Sequence, residues 1–352
     1  MTATLTEPSA AQTRYPDSGR PRWRRLLFAR ETVIIALLVL VIVGSSIAVP
    51  HFSAPITLTF LLLDITPVLL IALPMTLVII TGEIDLSVAS VMGLSSCTVG
   101  ALVQAHWPFV AAMLIALLVG ILAGAVNGLL ITVVGLPSLA VTIGTLALFR
   151  GLAQGLLGTT AVTGFPDFWT NLATSDLPGT VIPSVTVIVA VLAVVFAVVL
   201  HFTPFGRGVY AIGLSPDAAA FSGVKLVRTK FILFMLTGVI SALAGIYYTL
   251  RFSSARGDNA TGLELSVIAA VLLGGVSIFG GRGALHGVLA GALLIGTLAS
   301  ALRLAGITSD IINVITGTLL VLSVVVSSFL VWAQRVRGER KRRRDGESSA
   351  LG

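Results

Sequence analysis

Charge is scarce in this 352-residue chain: Asp, Glu, Lys and Arg together make up 11% of it, against about 25% in an ordinary soluble domain. Cysteine is nearly absent. Cys97 alone forms no intramolecular disulfide and no thiolate metal cluster, and it reads as a packing residue within an apolar segment. Four histidines, His51, His106, His201 and His286, are scattered singly, so no metal site is expected; His51 and His106 fall near predicted span ends and read as rim residues. There is no G-x-x-x-x-G-K-[ST] phosphate loop and no acidic strand end to hold magnesium, so the chain is not expected to hydrolyse ATP by itself. A G-x-S-x-G nucleophile elbow is also missing, which leaves little for a membrane-embedded enzyme to work with.

What the chain has instead is grease. Hydrophobic residues make up 56% of it and the mean hydropathy is +1.04. Apolar runs of about 20 residues, separated by short polar knots, are long enough at 1.5 Å per residue to cross roughly 30 Å of hydrocarbon. The expected class is an all-α polytopic membrane protein. Predicted spans lie at about 32–50, 57–80, 87–104, 109–133, 138–157, 183–202, 230–250, 264–280, 284–303 and 311–333. Ten is the expected number, with nine or eleven open, because 264–303 reads either as two spans or as one span with a re-entrant piece.

The cations set an orientation, since loops rich in Lys and Arg stay on the cytoplasmic side. Arg14, Arg20, Arg22, Arg24, Arg25 and Arg30 crowd the N-terminal arm, and Arg335, Arg337, Arg340, Lys341, Arg342, Arg343 and Arg344 crowd the C-terminal tail. Both ends are therefore predicted inside. That places Arg207, Lys225, Arg228, Lys230 and Arg282 inside as well and leaves only Arg251, Arg256 and Arg303 outside. Residues 1–31 read as a disordered basic arm, 32–334 as the membrane domain and 335–352 as a basic tail. The net charge of +7 is then explained by topology anchors that touch anionic lipid, and no nucleic-acid partner is expected. No cleavable signal is expected either, because the first apolar run is long enough to span.

Small residues suggest where helices meet. Gly120, Gly124 and Gly128 form one GxxxGxxxG ridge, and Gly283, Gly287 and Gly291 a second, as expected for tight helix packing in lipid. Ionisable residues within spans are costly, at about 2.5–3.5 kcal/mol near a helix centre. Asp64 lies in the second predicted span and Arg150 in the fifth. Glu83 and Asp85 follow the second span in "TGEIDLS". That stretch reads as a turn in which Asp85 or Ser87 caps the next helix and Glu83 stays in water; a carboxylate-lined path is the alternative. No series of acids at helical spacing suggests a proton relay.

The longest predicted inside loop, 203–230, holds a short helix-forming stretch, "SPDAAAFSG". Ser215 can cap it, Pro216 fits its first turn, Asp217 suits the helix dipole and Gly223 can end it. Such a helix is a plausible docking element for an outside engine. On the residues alone, channel, ion-coupled carrier and permease remain open.

Four ordered segments narrow the choice. "MTLVIITGEIDLSVASVMGLSS", "GAVNGLLITVVGLPSLAVTIGTLALFRGLAQ", "FGRGVYAIGLSPDAAAFSGV" and "GLELSVIAAVLLGGVSIFGGRGALHGVLAGALLIGTL" resemble those of the permease subunits of ribose-type ABC sugar importers, the second carbohydrate-uptake group. The resemblance covers about residues 35–331. It implies a second permease subunit, the same chain or a paralogue. It also implies ATPase subunits that hold ATP and magnesium, and a periplasmic or lipid-anchored sugar-binding protein. The location would be the bacterial inner membrane, and this chain would bind no cofactor. Asp217, Ala218, Ala219, Gly223 and Lys225 would form the ATPase-coupling segment. Gly82, Glu83, Asp85, Ser87, Asn127 and Asp64 would mark the family motif, a helix start and a possible pathway. The pattern departs from its usual form at Glu83 and Ala89, and in this it is closest to the rhamnose and autoinducer-2 branch.

Overall fold

The computed structural model describes residues 30–322 and residue 325. Most of the predicted basic arm and all of the predicted tail lie outside these residues. The described chain is helical, with α1 (Arg30–Ala48), α2 (Pro55–Ile80), α3 (Val88–Gln104), α4 (Phe109–Thr132), α5 (Ser138–Leu157) and α6 (Asp167–Thr174) in its first half. The second half adds α7 (Val185–Phe202), α8 (Pro204–Leu214), α9 (Pro216–Phe221), α10 (Leu226–Phe252), α11 (Leu263–Leu273), α12 (Leu285–Leu304) and α13 (Ser309–Leu322).

Six of these helices, α2, α4, α5, α7, α10 and α12, are long and apolar enough to cross a membrane, and α1, α3, α11 and α13 are shorter apolar helices. Each of the ten predicted spans overlaps one of these ten apolar helices, though only six are long enough to cross, and the span predicted at 311–333 lies within the described residues only as far as 322 and at 325. Exposed leucines and valines cover the outer faces, among them Leu114, Leu118 and Leu122 on α4 and Val187, Val191 and Val194 on α7. An apolar surface this extensive belongs against lipid.

Helix α2 is the axis of the bundle. Pro55 starts it at a position where its missing N–H is not needed, and every residue from Ile65 to Thr81 is buried. A helix that is apolar all round is buried on every side. One apolar cluster joins its Leu69–Ile80 half to α7, α10, α11 and α12. A second joins Val91, Leu94 and Cys97 of α3 to Ala112 and Ala116 of α4, Phe149 and Ala153 of α5, and Ile246 and Tyr247 of α10. Lipid tails are as apolar as leucine, so close packing rather than escape from water holds such helices together.

That packing depends on missing side chains where α4 crosses α10. A Cβ on Gly120 would stand 2.5 Å from the Gly238 carbonyl oxygen, one on Gly124 would run into the Phe234 carbonyl, and one on Gly128 would meet the Phe231 ring at 2.9 Å. Helix α12 uses Gly291 in the same way against the Ala270 carbonyl of α11, and Gly274 lies against Val288. Gly287 is buried within α12.

Three sequence expectations are corrected. The predicted span 264–280 is helical only to Leu273; its 11 residues reach about 16 Å at 1.5 Å per residue. Beyond it, Gly275, Gly280, Gly281 and Gly283 take positive φ, which a continuing helix forbids. Gly283, at φ +151°, therefore precedes α12 and is not part of a helical ridge with Gly287 and Gly291. The segment 203–230 holds more helix than the one short stretch expected of it. It folds into α8 and α9, and α10 begins at Leu226, which puts Arg228 and Lys230 on that helix. Helix α8 was missed because it is too short to register as a span; the Thr203 hydroxyl caps it and Val209 and Ile212 anchor it.

Candidate functional site

The polar residues gather at the two ends of the bundle. At one end, α2 stops at Ile80 and Gly82 turns the chain at φ +83°. Asp85 does not face water: it is 2% exposed. Its Oδ1 accepts from the Ser87 amide at 3.0 Å and the Ser87 hydroxyl at 2.6 Å, and its Oδ2 lies 2.7 Å from the Thr237 hydroxyl of α10. The Asn127 amide of α4 donates to Ser87 Oγ at 2.8 Å, while Asn127 Oδ1 is buried without a partner among the described residues. Burial pushes the Asp85 carboxyl above its usual range, against the pull of the Ser87 and Thr237 bonds.

The expected cap is therefore corrected. Ser87 occupies the N-cap position of α3, but neither side chain bonds an amide within that helix; Asp85 instead pins the turn to α10. Glu83 does not stay free in water either. Its carboxylate lies 2.5 Å from Lys230 Nζ, with both side chains less than a fifth exposed. The Ser138 and Thr142 hydroxyls of α5 hold the backbone of Ile84 at 3.3 Å.

Helix α8 leans on this turn. The Gly281 amide donates to the Ile80 carbonyl at 2.8 Å, and Gly213 of α8 lies so close to both that any Cβ would strike them. The Tyr210 hydroxyl donates to the Gly283 carbonyl at 2.7 Å. Ser215 caps α9 through the Ala218 amide at 3.3 Å, Pro216 opens it, and Gly223 follows it at φ +82°. Ala219 is buried, whereas Asp217, Ala218, Gly223 and Lys225 are exposed, and Phe221 is 94% exposed. Its aromatic ring thus projects away from the bundle.

At the other end, Asp64 receives Arg251 of α10 at 3.2 Å and Arg303 of α12 at 3.3 Å, which ties three helices together. The Arg251 guanidinium also stands 5.4 Å from the centre of the Phe60 ring, a cation–π distance. Nearby, Arg150 of α5 donates to the carbonyls of Asn259 at 2.6 Å and Gly257 at 3.3 Å, and so fixes the 253–262 connection. Arg256 and Asp258 form a two-bonded ion pair there, at 2.9 Å each. The Arg256 bonds hold the Asp258 carboxyl below its usual range.

Sequence reading singled out Asp64, Asp85 and Glu83 but placed Lys230, Arg251 and Arg303 only as orienting charges and did not name Thr237, so none of the pairings was foreseen. The cations carried one signal: in a chain this apolar, an Arg near a span end and an Asp within a neighbouring span are natural partners. Thr237 carried none. Among the described residues no group of three or more His, Cys, Asp and Glu side chains is arranged to hold a metal.

A helical bundle with six helices long and apolar enough to cross a membrane, a buried polar latch at one end and a short helix with an exposed Phe221 beside it is the build of a polytopic membrane protein. The chain belongs to the family described as the permease component of branched-chain amino acid transport systems, which it matches over residues 57–324. It is 36% identical over 321 residues to the autoinducer 2 import system permease protein LsrD of Photorhabdus temperata, covering 90% of this chain and 96% of that one. It is 35% identical over 319 residues to the LsrD proteins of Escherichia coli O157:H7 and Shigella flexneri, covering 89% of this chain and 96% of each of those. No solved structure matches the chain.

Proposed function

We propose that this chain is the membrane permease subunit of an ATP-driven importer for a small polyhydroxylated solute, either a monosaccharide or a compound like autoinducer 2. The solute class follows from relatives whose names specify autoinducer 2 import. The chain sits in a bacterial inner membrane with ten crossings and both termini in the cytoplasm, so the Glu83 end faces inward. It binds no cofactor. ATP and magnesium are held by partner ATPase subunits, a second permease subunit completes the pathway, and a sugar-binding protein delivers the solute.

One observation carries the mechanism: α9 is a capped helix with Phe221 almost wholly exposed, and both chains leading from it end on the 80–87 turn. Through α8, a push on α9 reaches Gly213, Ile80 and Gly281. Through the start of α10, it reaches Lys230, which is paired with Glu83. Phe221 seats in an apolar groove of the ATPase, and Ala219 fixes α9 to the body of the permease. When the ATPases close on ATP, α9 moves and the turn carries the displacement to α2, α3 and α10. The packed α4–α10 crossing moves as one block, because its glycine contacts leave no slack.

The test is purification of the tagged chain from its native membranes, combined with uptake of labelled L-rhamnose, D-ribose and autoinducer 2. An ATPase subunit should accompany the wild type, and uptake of at least one solute should cease when ATP is depleted. Phe221→Ala should lose the ATPase and the uptake while its amount in the membrane stays unchanged. Uptake that survives ATP depletion as long as the proton gradient is kept would overturn the proposal in favour of an ion-coupled carrier.

A further inference from the structure

At the end of the bundle opposite α9, a pocket of about 450 Å³ opens between the C-terminus of α5 and the 253–262 connection. Its walls carry Gln154, Thr159, Thr160, Arg256, Gly257 and Asp258. The latch at the Glu83 end and the Asp64 ion cluster use none of these side chains. Two features make this a built site. The first is its frame: Val162 and Ala255 exchange backbone hydrogen bonds at 3.0 and 2.9 Å, which joins one wall to the other. Arg150 holds the Gly257 and Asn259 carbonyls from beneath, and the Asn259 amide reaches Ser96 Oγ of α3 at 3.0 Å. Gly257 itself is pressed against α5, where a Cβ would stand 3.0 Å from Gln154 Cα.

The second feature is the chemistry of the lining. Arg256 and Asp258 neutralise each other through two parallel bonds, so the pocket presents donors and acceptors side by side with no net charge. Such a wall offers no net charge to draw in an anion or a cation. A vicinal diol suits it, because each hydroxyl both donates and accepts, and one can bond the guanidinium while its neighbour bonds the carboxylate. Among the described residues, the Gln154 amide and the Thr159 hydroxyl make no protein hydrogen bond, and the Thr160 hydroxyl donates only to the Leu157 carbonyl at 2.6 Å. These groups remain available to a ligand.

We propose that this pocket is a weak binding site for the neutral polyhydroxylated solute, held by the Arg256–Asp258 pair and the Gln154 amide where the solute first meets the permease. The assignment rests on the solute class proposed above and adds a place on this chain where that solute binds. A preformed pocket on a rigid frame gives orientation without demanding high affinity, which suits a step from which the solute must move on.

The full-length chain in lipid nanodiscs, without partners, is titrated with millimolar L-rhamnose, D-ribose and autoinducer 2, and binding is read by saturation-transfer NMR. Wild type should give signals from at least one of these. Gln154→Leu and the double variant Arg256→Gln/Asp258→Asn should cut those signals five-fold or more, with no change in melting temperature because the replaced side chains are exposed. In cells the same variants should raise the solute concentration for half-maximal uptake at least three-fold. Equal signals in wild type and variants, or no signal from any probe, would overturn the site. So would variants that lose only the binding protein, since the pocket would then be a docking surface for that protein. If wild type imports a solute in an ATP-dependent manner while these tests fail, the importer reading stands and this site alone is lost; if wild type imports none of them, both fall.

Discussion

Replacing Asp85 by asparagine and by alanine separates a latch from a mere buried charge. In alanine the acceptor of the Ser87 amide and the Ser87 hydroxyl disappears. Two buried donors left unpaired cost about 1–3 kcal/mol each, so Asp85→Ala should lose about 2–6 kcal/mol. At about 2 °C per kcal/mol for a chain this large, that is a fall of roughly 4–12 °C in melting temperature. Asparagine keeps the carbonyl that accepts from Ser87. Its new amide faces Thr237 Oγ1, whose single proton has a second acceptor in the Phe234 carbonyl at 2.8 Å, so the hydroxyl can turn and receive. Asp85→Asn should therefore cost less than about 1 kcal/mol. Because burial raises the folded-state pKa above 3.8, the unfolded chain gives up this proton first as pH rises. Stability from the protonated group is full below about 3.8 and is lost as pH climbs through the raised pKa. In nanodiscs, wild type should soften over that climb relative to Asp85→Asn, in which the group does not titrate. Equal melting temperatures for the two variants, or a pH profile that Asp85→Asn shares with wild type, would refute the latch.

Three more outcomes are expected. Ala219→Glu and Gly223→Leu should each abolish uptake and solute-stimulated ATP hydrolysis with normal membrane insertion, one by a charge under α9 and one by a side chain at φ +82°; normal uptake in both removes α9 from coupling. Lys230→Met should destabilise by about 1–3 kcal/mol, since it strands the half-buried Glu83 carboxylate, and adding Glu83→Gln should restore most of the loss in a thermal melt; an additive double variant would show that the pair does not interact. Gly124→Leu should prevent the α4–α10 crossing from forming and reduce the folded, monodisperse fraction in detergent to a small share of wild type, read by size-exclusion chromatography.

The long helices were legible because each is an apolar run bounded by turn residues, a pattern written within 20 neighbouring positions. Helix α9 was legible for a different reason: Ser215, Pro216 and Gly223 spell its start and end in local grammar. The failures are equally physical. Thr237 stands 152 residues from Asp85, and nothing near either residue marks the pairing. The turn was read as solvated because a buried carboxylate is expensive, yet three hydrogen-bonding contacts from Ser87 and Thr237 offset part of that expense. The 264–280 run was apolar enough to pass for a span, and only the positive φ of its glycines shows that the helix ends early.

The junction of Gly213, Ile80 and Gly281 is made entirely of backbone. Side chains hop between rotamers and yield under load, whereas peptide groups in contact have no such freedom, so this joint is a bearing without play. It also cannot be retuned by ordinary substitution, because two of its three members accept no side chain and the third contributes only its carbonyl. Adaptation of such a transporter to a new solute would have to occur elsewhere, in residues that line surfaces, while this joint stays fixed by geometry.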